Sequence, residues 1–117
     1  IEGAYAAARH LLASAPERPT AVFAASDEMA IGTILAARGF GLRIPDDLSV
    51  MGIDGHDLGN VLGLTTIDQD AKGQGALAVR TLLGAINNGL VLEPADTEHP
   101  TKLVVRTSTA VPRPGAS

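Results

Sequence analysis

The chain has no cysteine and no tryptophan, and among its 117 residues only Tyr5, Phe23 and Phe40 are aromatic. Without cysteine there are no disulfides and no thiolate metal sites, which fits a reducing, cytoplasmic compartment. With so few rings the core must be built from Ala, Val, Ile and Leu, which suits helices packed closely on a sheet. No apolar run approaches the roughly 18 residues needed to span a bilayer, so no membrane partner is expected. The nine Lys and Arg are scattered and outnumbered by thirteen Asp and Glu, for a net charge of −4. This segment therefore has no electrostatic footprint for nucleic acid. It opens Ile1-Glu2-Gly3-Ala4-Tyr5, with neither an initiator Met nor a signal stretch, and a helical apolar pattern starts at once. The expectation is a piece of a longer protein.

Two apolar runs stand out. Ala21-Val22-Phe23-Ala24-Ala25 leads into Ser26-Asp27, and Leu48-Ser49-Val50-Met51-Gly52-Ile53 leads into Asp54-Gly55. Each reads as a strand covered on both faces of a parallel sheet. Periodicity predicts helices over 2–13, 27–38 and 71–87, the second capped by Ser26 or Asp27 and closed by a left-handed Gly39. Residues 54–63 read as a loop or a short, weak helix, 64–67 as a short strand, 90–100 as a linker, 102–107 as a last strand and 112–117 as a tail. Helices alternating with strands at this spacing give an α/β fold with a mostly parallel sheet flanked by helices. The 27–38 segment is apolar nearly all round and needs a second covering, either another element of its own protein or a dimer partner.

In parallel sheets, ligands meet the carboxyl ends of the strands, which draws attention to Ser26 and Asp54. A carboxylate at 54 can accept hydroxyls from vicinal groups of a sugar, and charge-assisted bonds are about twice as strong as neutral ones. Asp-Gly after a strand is equally good turn chemistry, and Ser26 serves equally as a helix cap. Gln69 offers an amide, with two donors and an acceptor. Asp54, His56 and Asp57 are hard ligands crowded on one loop, so a metal-assisted hydrolase is one alternative. His10 and His99 read as surface residues. No G-x-S-x-G, G-x-x-x-x-G-K-[ST] or G-x-G-x-x-G signature is present, and Ile53 breaks the Asp-x-Asp-Gly pattern. Neither catalytic residues, a metal site nor a cofactor are expected, and the chain reads as a non-enzyme.

Four stretches in order carry a resemblance: Pro19 to Ala30, Gly39 to Asp54, Leu64 to Gln69, and Leu103 to Thr109. Together they resemble the LacI/GalR-type transcription regulators, over nearly the whole chain. The resemblance implies the C-terminal part of an effector-binding core, similar to periplasmic sugar-binding proteins of type I, in which two α/β subdomains close over a ligand. It implies effector contacts at Ser26, Asp54 and Gln69, and a dimer interface using Ile31 and Leu62. Ser26 stands where the family usually has Asn, Asp68 where repressors are often basic, and Gly55 where a second Asp is common. Residues 1–64 are then the C-terminal subdomain. Residues 65–100 form a crossover strand, helix and linker toward an absent N-terminal subdomain, and 101–117 a returning strand and tail. The implied protein is a sugar-sensing homodimer that meets operator DNA only through an upstream module. A transporter's periplasmic sugar-binding protein is the alternative, favoured by Ile53-Asp54-Gly55. Helix 71–87 should lack part of its packing partner.

Overall fold

The computed structural model describes residues 1–14 and 16–114. Its elements run α1 (Glu2–Ser14), β1 (Ala21–Phe23), α2 (Asp27–Gly39), β2 (Ser49–Asp54), α3 (Asp57–Leu62), β3 (Thr65–Asp68), α4 (Ala71–Asn88) and β4 (Lys102–Val104). One four-stranded sheet has the order β1-β2-β3-β4. The first three strands are parallel and β4 is antiparallel to β3, so the mostly parallel α/β arrangement read from the sequence is present. The terminal residues Gly115, Ala116 and Ser117 of the expected tail lie outside the described residues, as does Ala15 in the expected helix break.

The core is aliphatic, as the shortage of aromatics requires. Leu12 from α1, Ile34 from α2, Leu48 and Val50 around β2, and Leu64 before β3 are among its fully buried side chains. A second covering of α2 comes from its own chain, because α1 packs against it. Gly32 permits the approach: a Cβ there would stand 2.6 Å from the carbonyl oxygen of Ile1 and 2.9 Å from the nitrogen of Tyr5. The Arg9 guanidinium lies 5.8 Å from the Tyr5 ring centroid and 5.5 Å from that of Phe40, closing one end of this helix pair.

Several expectations need correction. The first strand is not covered on both faces and stops at Phe23, which is 61% exposed. It is an edge strand whose register sets Ala21 and Phe23 beside Ser49 and Met51, on the face that α2 does not cover. Gly39 is the last residue of α2, not its left-handed cap; Phe40 caps the helix and Gly41 takes the positive φ of 72°. The glycine-rich stretch after Asp54 does form a short helix, α3, with Gly63 as its left-handed C-cap. The last strand ends at Val104, three residues early. Thr65 Oγ1 accepts the Arg106 N–H at 3.0 Å and Arg106 Nη1 donates to the Leu64 carbonyl at 2.7 Å, so side chains take over from the ladder.

The division expected at residues 64 and 65 falls inside one sheet, since β3 pairs with β2 from Met51↔Thr65 to Asp54↔Asp68. Beyond β3 the chain changes character. Helix α4 has no buried residue, and Val79, Leu82, Leu83 and Ile86 stay exposed along it. The molecule measures 61 × 26 × 25 Å with a radius of gyration of 18.8 Å, against about 13 Å for a compact chain of this length. No helix among the described residues is long and apolar enough to cross a membrane.

Candidate functional site

The carboxyl ends of β1 and β2 meet at the N-terminus of α2. Ser26 is the N-cap, and its Oγ accepts the Met29 N–H at 3.2 Å. Asp54 closes β2, and its Oδ2 accepts the Asp27 N–H at 3.3 Å. Two free amides at one helix end thus receive an oxygen from each expected site residue, where the helix dipole favours negative charge. Asp54 is exposed and lies on the α2 side of the sheet, beside residue 26. Gln69 follows the last residue of β3, one strand over, since Asp54 is in register with Asp68. It is half-buried, and its carbonyl accepts the Gln74 side-chain amide at 2.6 Å.

Asp54 has φ of 139°, a region L-residues rarely adopt, and Gly55 follows at 82°. Such backbone costs of order 1–3 kcal/mol and persists only when its surroundings over-determine it. Those surroundings centre on Asp27, which is fully buried. The Gly55 and His56 N–H groups donate to its Oδ2 at 3.0 and 2.7 Å, and Thr66 Oγ1 donates to its Oδ1 at 2.6 Å. From the sequence alone Asp27 reads only as an alternative helix cap. A signal existed in Gly52, because a glycine inside a strand marks a close approach. A Cβ at Gly52 would collide with Asp27 Oδ1. Among the described residues no buried side-chain polar atom lacks a partner.

The alternative metal loop is differently employed. His56 Nδ1 accepts the Leu58 N–H at 3.0 Å and caps α3, with Asp57 in the first turn of that helix. Among the described residues, no three His, Asp or Glu side chains form a group able to hold a metal. His99 is not a free surface residue, as its Nε2 lies 2.9 Å from Asp70 Oδ2. Hydrogen bonds from His99 and from the Gly73 N–H hold the Asp70 carboxyl below the usual carboxylate range. The interface pair is divided: Ile31 is 4% exposed and packed within its own chain, while Leu62 is half-buried beside Val61, 82% exposed. Hollows of about 400, 460 and 560 Å³ lie elsewhere, and none is lined by Ser26, Asp54 or Gln69.

Residues 1–109 match the periplasmic binding protein-like domain family. A ribose operon repressor of Halalkalibacterium halodurans is 46% identical over 93 residues, which are 75% of this chain and 27% of the relative. A LacI family transcriptional regulator from Enterococcus faecium, solved with bound ribose, superposes with TM-score 0.82 and 33% identity, over 93% of this chain and 40% of that one. A LacI family regulator from Arthrobacter sp. FB24, solved in complex with lactose, gives TM-score 0.82 and 35% identity, over 93% and 41%. The chain thus spans about a quarter of the repressor's length and about two fifths of each solved structure.

Proposed function

The chain belongs to the periplasmic binding protein-like domain family, and on that footing we propose that it is one wall of the sugar-sensing core of a LacI-type transcriptional regulator. The observation that carries this reading is the meeting of Asp54 and Ser26 at the start of α2, on the strand ends where α/β sheets receive ligands. Asp54 is the principal contact, its free acceptor capacity meeting two vicinal hydroxyls. Ser26 and Gln69 supply neutral hydrogen bonds beside it. A single wall gives an open mouth, and the opposite wall belongs to a second lobe reached through α4 and the 90–100 linker. The repressor and regulator names of the relatives favour this reading over a transporter's binding protein.

In the whole protein, effector binding shifts the closure of the two lobes by its differential affinity for the two states. A homodimer passes that change to an upstream DNA-binding module. Leu62, with Val61 and Leu58, presents apolar surface for the dimer, and Ile31, buried in the single chain, is the second residue assigned to that interface. The chain acts as a binding module and not as a catalyst.

The reading is tested by thermal shift of the full-length protein against a panel of pentoses, hexoses and disaccharides that includes D-ribose and lactose. A sugar at about 100 times its Kd stabilises the native state by about 2.7 kcal/mol, which raises Tm by several degrees. A panel without any such shift rejects the sugar-sensing role.

A further inference from the structure

We infer that Asp27 is a positioning residue for effector binding, one that sets the direction of Asp54 without touching ligand; this rests on the effector role of Asp54 proposed above. A buried carboxylate is costly unless hydrogen-bonded, and all three donors to Asp27 have a consequence for the mouth. Two are the Gly55 and His56 amides, the first two after Asp54. The third, Thr66 Oγ1, ties Asp27 to β3 and so fixes the carboxylate's rotation. In return the Asp27 N–H donates to Asp54 Oδ2.

The two acids therefore hold each other's segments. The Asp27 side chain pins the backbone leaving Asp54, and the Asp54 side chain caps the backbone at Asp27. This arrangement supplies the over-determination that the φ of 139° at Asp54 demands. Gly52 supplies the room, since any side chain there would push Asp27 Oδ1 away from Thr66. Asp54 is thus aimed from the β1–α2 junction, and not by β2 alone.

Calorimetric titration of full-length protein with D-ribose and with lactose tests the assignment in Asp27→Ala, Asp27→Asn, Thr66→Val and Asp54→Ala, at a temperature where each is folded. Loss of a charged acceptor should raise Kd at least about tenfold in Asp27→Ala, with binding stoichiometry unchanged. Asp27→Asn should stay within about threefold of wild type, because its amide oxygen still accepts from Gly55 and His56 while its NH2 faces Thr66. Thr66→Val should fall between the two. Wild-type Kd in Asp27→Ala, or a fall in stoichiometry alone, overturns the positioning role and leaves Asp27 a folding residue.

Asp54→Ala separates the two ideas. Unchanged affinity there removes the effector reading itself, whereas weakened Asp54→Ala beside wild-type-like Asp27→Ala removes only the positioning role. If Asp27→Ala does not fold, or neither sugar binds, amide exchange in Thr66→Val decides. Gly55 and His56 should exchange at least about tenfold faster than in wild type, and unchanged rates overturn the assignment.

Discussion

Ser26 and Asp54 each accept a hydrogen bond from the start of α2, and under the proposed role each also meets the effector from the solvent side. Ser26 Oγ accepts one hydrogen bond from the Met29 N–H, and a hydroxyl retains a donor and a further lone pair. The capping and ligand readings of this residue are therefore compatible. Replacing Ser26 with Ala should cost about 1 kcal/mol of stability through the lost cap, measured by urea denaturation of the chain. Undiminished stability contradicts the capping role. At this scale the two positions were legible in the sequence because each stands where an apolar run ends, and the fold brings both to the start of α2. Gly52 signalled a close approach but not to which residue; Asp27 emerges as the hub only in the folded chain, which brings its donors together from residues 55, 56 and 66.

At the scale of elements, the turn before β2 shows how much a local pattern can hold. Asp47 accepts the Arg43 N–H and Nε at 2.8 Å each, and Arg113 Nη1 at 2.9 Å, joining the turn to the C-terminal segment. The hydrogen bond from the Arg43 guanidinium, then that from its backbone N–H, holds the Asp47 carboxyl well below the usual carboxylate range. A depressed folded-state pKa gives stability that is complete above the unfolded value, about 3.9, and fades as pH falls through the folded one. The Tm difference between wild type and Asp47→Asn should then be full between about pH 5 and 7 and shrink below about pH 4. A constant gap in thermal denaturation down to about pH 2 would falsify this link. The boundaries of α1, α2 and α4 were legible to within a residue or so, because caps and apolar spacing act locally. The length of β4 was not, since the distant Thr65 takes the Arg106 N–H on its Oγ1 and gives its own N–H to Ser108 Oγ, so side chains replace the ladder there.

For the whole molecule, the informative feature is the contrast between a packed α1–α2–sheet unit and an α4 that buries nothing. Exposed Val79, Leu82, Leu83 and Ile86 form an apolar stripe of a kind rarely left open on a monomer. The chain as given should associate at micromolar concentration, and Val79→Lys with Ile86→Lys should return it toward monomer in sedimentation velocity. A monomeric wild-type chain contradicts that expectation. The apolar face of α4 was visible as a helical period; that it lacks a partner followed only from the resemblance, because periodicity cannot say what a face packs against.

The most direct measurement for the central proposal is a crystal structure of the full-length protein with its tightest-binding sugar from the panel. The account predicts the Asp54 carboxylate at about 2.5–2.8 Å from two adjacent sugar hydroxyls, with Ser26 on the same side of the ring. A sugar bound elsewhere, with Asp54 oxygens turned only to α2 and water, would contradict it.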